Sequence, residues 1–321
     1  RYIGIDVSKA TFVVAYSSDK GGEIRTFNNT TAGIRQFIGT LPKDGSIHCV
    51  MEATGNYSAL LLYMLNVAGI TVSMENPLKV KNFAKALLST VKTDKSDARL
   101  ITLYGEKMNP RPFKVQGEAI LRLRQKRTVI RQLTKQITAM SNLRGSLACL
   151  PVPDKGATHT VDETIKFLEK KRDRLQAELT DLVEVEFSRQ LALLTTIKGI
   201  GITLATALIL TTGGFTYFQN AKQVSRYLGI CPTYEQSGTS VNIKGHINRN
   251  GDAYTRGLLY IAAWPASRFN AQCKETYTRL RQNGKSGKLA MIAVANKLIR
   301  QAFAVVAHDK EYIDGFVSNR P

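Results

Sequence analysis

Four carboxylates stand out for the chemistry they could perform together. Asp94 and Asp97 lie at i and i+3 in KTDKSDARL, so on a helix they share a face. Asp6 sits in YIGIDV, and Glu52 closes SIHCVME. The chain carries a formal charge of +20, with 45 Lys plus Arg against 25 Asp plus Glu. Four acids converging in one place repel one another unless a cation sits between them. Hard oxygen ligands select Mg²⁺ or Mn²⁺, ions that retain water and take phosphate oxygens as their remaining ligands. The expected chemistry is therefore on phosphodiesters. Lys92, Lys95 and Arg99 flank the aspartate pair and are candidates for holding a nucleic-acid backbone. Each acid alone has a plainer reading. A strand-end Glu is ordinarily solvated, and Asp94 or Asp97 at a helix start is a natural N-cap. Only their joint occurrence favours the metal.

A second candidate is TYEQSGTSV, which holds Ser237, Gly238, Thr239 and Ser240. A Ser-Gly pair is by default a polar turn. No histidine has the spacing of a Ser-His-Asp triad, and nearby His246 has no orienting partner. A serine nucleophile here would depend on a metal or a basic environment for activation. Lys244 and Arg249 are placed to stabilise phosphate charge beside it.

The elements that must position these residues are legible in outline. RYIGIDV alternates, with Ile3, Ile5 and Val7 on one face and Gly4 and Asp6 on the other. TFVVAYS and EIRTF follow as an antiparallel meander, then a helix over TTAGIRQFIGTL, a strand ending at Glu52, the helix NYSALLLYMLNVAG and the strand ITVSMENP. Three strands, a helix, a strand, a helix and a strand is the order of an RNase H-like domain, in which the first and fourth strands are neighbours. That would bring Asp6 and Glu52 to one edge. Gly117 to Leu150 and about Val161 to Val185 read as long heptad-like helices joined by a Pro/Gly loop. An antiparallel hairpin, a dimer coil and an ordinary bundle all fit that pattern. The remainder reads as helical, with TYEQSGTSVNIKGHINRNGD as loop and turn. The expected domains are 1–114 (α/β), 115–188 (coiled-coil helices) and 189–321 (mostly α-helical).

The charge is unevenly spread. Ala119 to Pro153 contains no acidic residue but holds Arg122, Arg124, Lys126, Arg127, Arg131, Lys135 and Arg144, and between Gln190 and Gly251 the only acid is Glu235. Such stretches point to a polyanion-binding surface. The four cysteines are scattered without a CxxC pair, which fits neither a zinc knuckle nor a disulfide framework. No apolar run has the length of a membrane span and no secretory leader is legible, so a cytoplasmic, nucleoid-associated protein with no membrane partner is expected. NGKSGK lacks the Ser or Thr of a P-loop, because Leu289 follows the lysine. In KGIGITL, Leu204 replaces the third glycine of a dinucleotide fingerprint. Lys198, Gly199 and Gly201 instead resemble a helix-hairpin-helix phosphate contact, with a tight interhelical turn as the plainer alternative. Trp264, the single tryptophan, is expected in the core.

YIGIDVSK, MEATGNY, KTDKSDAR, IKGIG, YLGICPTYEQSGTSV and GHINRNGDAYTRGLLYIAA occur here in the order of the insertion-sequence one-ten transposases, the pilin-invertase-like DEDD family. The resemblance covers nearly the whole chain. It implies a RuvC-like N-terminal domain, a coiled coil and a C-terminal transposase domain. It implies that Ser237 is a nucleophile forming a 5′-phosphoserine link to DNA, with Ser240 as the alternative if Gln236 shifts the loop register. It also implies a structured guide, the bridge RNA, that pairs with target and donor DNA, and composite active sites in a tetramer built as a dimer of dimers. The alternative is a metal-dependent RuvC-like structure-selective endonuclease of the Holliday-junction resolvase type, which would use the four carboxylates and need no serine.

Overall fold

The computed structural model describes residues 1–17, 22–42, 44–88, 93–113, 117–237, 241–248 and 251–315, with the backbone alone over 233–237 and 241–246. It divides into two compact units, 1–115 and 116–321.

The first unit is built on a five-stranded mixed sheet. Strands β1 (Tyr2–Val7), β2 (Thr11–Tyr16) and β3 (Ile24–Asn28) form the antiparallel meander, and β4 (His48–Glu52) and β5 (Thr71–Glu75) add in parallel on the other side of β1. The spatial order is β3-β2-β1-β4-β5. Side chains alternate across the sheet, as the period of two requires. Ile3, Ile5, Val7, Phe12, Val14, Cys49 and Met51 form one core with Ile34 and Phe37 of α1 (Thr31–Gly39) and Leu61 and Leu65 of α2 (Ala59–Val67). The opposite parity faces α3 (Pro77–Ala86) and α4 (Asp94–Met108). There Val50 packs with Val80, Ile101 and Tyr104, and Val13 and Ala15 pack with Ala98.

Helix α4 lies unusually close to β1. A Cβ on Gly4 would stand 2.3 Å from both the Ala98 carbonyl and the Thr102 amide nitrogen. The Gly4 N–H donates to the Thr102 hydroxyl (3.0 Å), which in turn donates between the Ala15 and Ala98 carbonyls at 2.9 and 3.0 Å. Gly105 repeats the arrangement one turn on, where a Cβ would meet the Tyr2 ring at 2.7 Å. Gly4 lets strand and helix backbones touch, and Gly105 makes room on the helix for the Tyr2 and Val50 side chains. Gly4→Ala should therefore push α4 off the sheet and cost about 3 kcal/mol, the upper range for overpacking, read as an earlier urea midpoint for this unit. An unchanged midpoint would contradict the close approach.

The second unit is helical. Helices α5 (Glu118–Ala148) and α6 (Lys155–Glu186) pack as an antiparallel hairpin, with Lys126 on Glu178 near one end and Arg144 on Asp162 near the other. Helix α6 starts earlier than the hydrophobic seam predicts, because Asp154 caps it by accepting from Ala157 N–H (2.7 Å). Toward the Pro/Gly loop the hairpin has its own small core of Ile137, Val161 and Ile165. Its opposite end (Ile120, Leu123, Leu179, Val183) joins the main core of α7 (Ser188–Thr195), α8 (Ile202–Thr212), α9 (Ala221–Tyr227), α10 (Ala253–Phe269) and α12 (Gly287–Ala307). Helix α11 (Ala271–Gln282) connects the last two.

Three expectations are corrected here. The segment read as loop and turn is an antiparallel ribbon, β6 (Pro232–Ser237) with β7 (Val241–Ile247). The β-branched alternation Val241, Ile243, Ile247 favours strand over coil. Trp264 is 49% exposed, because the buried face of α10 is formed by Leu259, Ala262, Ala263 and Ala266. And α12 is, among the described residues, long and apolar enough to cross a membrane. Its Ala290, Met291, Val294, Ala295, Leu298, Ile299 and Ala302 are nevertheless packed in the core, as in the central helix of a globular unit.

Candidate active site

Asp6 shares the parity of Gly4 and so faces α4, and Glu52 shares the parity of Val50 and faces the same side. Strands β1 and β4 run in register up to Ile5↔Met51, so Asp6 and Glu52 are the next residues on neighbouring strands. Asp94 and Asp97 enter from the first turn of α4. Neither aspartate is the cap. Thr93 takes that role, its hydroxyl accepting from Ser96 N–H (3.1 Å) while the Ser96 hydroxyl accepts from Thr93 N–H (2.8 Å). The capping explanation for the pair thus falls on a different residue.

The electrostatics tie the four acids together. The half-buried Asp6 carboxyl is pushed up from 3.8 to about 6, first by burial and then by the charges of Asp97, Asp94 and Glu52. The fold places all three other acids within reach of Asp6's charge. Among the described residues no three acidic, histidine or cysteine side chains stand as a ready-made set of ligands. The coupling of Asp6 to Asp97, Asp94 and Glu52 shows that the four acids lie near one another. The donor set is all hard oxygen, the chemistry of Mg²⁺ or Mn²⁺ ligands.

A fifth acid escaped the sequence reading. Glu75 ends β5 in register with Glu52, so the sheet edge carries Asp6, Glu52 and Glu75 in a row on adjacent strands. Glu75 is buried, and one of its oxygens accepts from Lys79 Nζ (2.7 Å) and from the Tyr104 hydroxyl (3.3 Å). Burial and Glu75 raise the Tyr104 phenol in return. The signal was available: Glu75 has the parity of Ser73 at a strand end equivalent to that of Glu52.

In the second unit, Ser237 is the last residue of β6 and pairs in register with Val241. Ser240, Arg249 and Lys92 lie outside the described residues, as does the side chain of Lys244. Lys95 and Arg99 are exposed on α4. Most of the basic residues assigned to nucleic acid on α5 already have partners within the chain. Arg124 caps the end of α8 through the Leu210 and Thr211 carbonyls (2.8 and 3.0 Å). Arg127 donates to Thr211 Oγ1 (2.8 Å), Lys126 pairs with Glu178, Arg131 with Asp252 and Arg122 with Glu118. Lys135 is exposed. Lys198 pairs with Asp314 (2.8 Å). Gly199, at φ +106°, packs against Ala266 of α10, and Gly201 is the N-cap of α8. The segment is a tight turn between α7 and α8, a geometry that both expectations share.

Comparison with known proteins follows the same lines. Residues 3–148 match the model of DEDD transposases of the IS110 type, and residues 191–278 match that of the IS116/IS110/IS902 transposase family. A pilin gene-inverting protein of Moraxella bovis is 29% identical over 323 residues, covering 97% of each chain. A probable family 20 transposase of Pseudomonas aeruginosa is 24% identical with 98% of each chain covered. An insertion element IS110 protein of Streptomyces coelicolor is 28% identical over 137 residues, 43% of this chain and 33% of that one. The chain belongs to the IS110 family of transposases.

Proposed function

We propose that this chain is an RNA-guided, site-specific DNA recombinase that cuts and rejoins strands through a covalent 5′-phosphoserine on Ser237. Asp6, Glu52, Asp94 and Asp97 would hold Mg²⁺ or Mn²⁺. The observation that carries the metal site is the convergence of Asp6 and Glu52 on neighbouring strand ends with Asp94 and Asp97 in the first turn of α4, which together with burial raises the Asp6 carboxyl. A cluster that penalises its own ionisation is one a divalent cation relieves. The strand order β3-β2-β1-β4-β5, with acids at the β1 and β4 ends and on a helix crossing them, supports an RNase H-like domain of RuvC type. The names of the Moraxella relatives support DNA inversion or transposition as the outcome.

The chemistry balances without ATP. The Ser237 hydroxyl attacks phosphorus, the bond from phosphorus to the 3′ oxygen breaks, and that oxygen leaves as a hydroxyl carrying a proton. A 3′ hydroxyl from another strand then attacks the phosphoserine, and the serine recovers its proton. A bound divalent ion would supply charge stabilisation for the phosphorane-like transition state. The chain's own acids would hold that ion at a sheet edge and a helix turn, and Lys95 and Arg99, exposed on α4, would steady the DNA strand. The serine ribbon and the carboxylates would come from different subunits of a tetramer, a dimer of dimers. A structured guide RNA pairing with target and donor DNA supplies sequence recognition, and the charge of +20 favours such polyanion partners.

The test is direct. Protein, the structured RNA encoded beside the reading frame, and cognate DNA are incubated with Mg²⁺ and resolved on a denaturing gel. A denaturation-resistant protein–DNA adduct with a free 3′ hydroxyl supports the recombinase. Free 5′-phosphate ends without an adduct would instead establish the structure-selective endonuclease.

A further inference from the structure

The ribbon that carries Ser237 is rooted in the helical unit at two points. Its incoming foot follows α9, where Ile230 N–H donates to Ser225 O (3.0 Å), and its outgoing foot is tied across by Asn248 N–H to Cys231 O (3.2 Å). Beyond that foot, Gly251 is pressed onto the end of α9: a Cβ there would stand 2.4 Å from Tyr227 O and 2.6 Å from the Leu228 carbonyl carbon. Arg256 of α10 donates to the Leu228 carbonyl (3.3 Å).

The next residue is Asp252, and the surrounding groups close on it. One carboxylate oxygen accepts from the Thr255 hydroxyl (2.7 Å) and stands 3.5 Å from the Arg127 guanidinium, and the other stands 3.3 Å from Arg131. Thr255 Oγ1 lies 3.0 Å from Thr211 Oγ1, which accepts from Arg127 (2.8 Å). Arg127, Thr211, Thr255 and Asp252 thus form a closed polar ring linking α5, α8 and α10. The side chains of Arg127 and Asp252 are only 17% and 14% exposed, and Arg131 is braced over the Tyr254 ring at 5.4 Å. Burial alone would raise the Asp252 carboxyl, but the Thr255 hydrogen bond and the two guanidiniums bring it below its ordinary value. A buried ion pair of this kind is poor evidence for stability, since desolvation offsets much of the attraction.

We infer that Asp252, held by Arg127 and Arg131, is the positioning residue for the Ser237 ribbon, anchoring its outgoing foot to helix α5. The claim rests on Ser237 as the nucleophile. It gives these two arginines of the acid-free helix a different task from phosphate binding: they aim the serine. A ribbon loosened at one foot misplaces the hydroxyl, and a misplacement of about 1 Å costs about 10²-fold in rate.

Hydrogen exchange on the full chain tests this together with the rate of adduct formation. In Asp252→Ala, peptides of β6 and β7 should exchange about tenfold faster while those of α8 and α12 stay at the wild-type rate. Adduct formation should fall about 10²-fold with RNA and DNA affinity held within about twofold. Arg131→Gln, which leaves the Arg127 arm in place, should give a smaller change in both, and it keeps the test alive if Asp252→Ala does not fold. Unchanged ribbon exchange, or acceleration spread evenly over α8 and α12, overturns the inference. So does a loosened ribbon that forms adduct at the wild-type rate. An adduct surviving Ser237→Ala would overturn the nucleophile instead, and the exchange measurement would still decide whether Asp252 anchors the ribbon.

Discussion

Ser237→Ala protein is expected to bind its RNA and DNA as the wild type does and to form no covalent adduct at all. Strand exchange should drop by at least about 10⁴-fold, the scale of removing a nucleophile that no neighbour replaces. The sharpness of the expectation comes from the ribbon. Ser237 is the terminal residue of β6, paired in register with Val241, so the strand ladder fixes its backbone. Ser237→Thr keeps a hydroxyl but adds a methyl group at the strand end, and should retain a small fraction of the activity. Ser237→Cys offers a better nucleophile that is poorly matched to phosphorus, and is expected to be nearly inactive. If Ser237→Ala still yields the adduct and Ser240→Ala does not, the register shift introduced by Gln236 is real and Ser240 is the attacking residue.

What the sequence disclosed and what it concealed divide along a physical line. Alternation in YIGIDV placed Asp6 and Gly4 on one face, and the structure puts that face under α4. Parity and the succession of strands and helices rest on local patterns, so they can be read from a short window. Contacts set by distant parts of the chain could not be read that way. Arg131 meets Asp252 across 121 residues, and Arg127 meets Thr211 across 84. The acid-free stretch on α5 gives no sign in sequence that several of its cations pair with groups encoded far away. Trp264 misled for the related reason that an apolar helix does not announce which stripe of it is covered. The ribbon was hidden because the Gly, Ser and Thr of SGTS are residue types that also compose ordinary loops. Glu75 carries only the local signal of a strand-end acid, with no second acid three residues on to mark it as the aspartate pair is marked.

Replacing Asp94 and Asp97 together by alanine should produce two opposite effects that only a charge cluster explains. Strand exchange should fall by at least about 10³-fold, because half the ligands for the divalent ion are gone, while RNA affinity is held. In metal-free buffer near neutral pH the same variant should be more stable than the wild type. Asp6 has its pKa raised from 3.8 to about 6, so the folded state binds its proton more tightly than the unfolded chain does. The stability linked to that proton is fully present below 3.8 and is lost as pH rises through about 6. For the wild type this is a decline of about 1–2 kcal/mol between roughly pH 4 and pH 7, after discounting for solvent screening at a half-buried group. Removing Asp97 and Asp94 deletes two of the charges that raise Asp6 and leaves burial and Glu52, so the decline should become shallower. Millimolar Mg²⁺ should restore the lost stability in the wild type and do nothing for the variant. Thermal melts across that pH range, with and without Mg²⁺, read both effects on one sample set. Parallel pH curves for the two proteins would mean that Asp94 and Asp97 add nothing to burial and Glu52 in raising Asp6. The acids would then be neighbours in the fold without forming a common site for the ion.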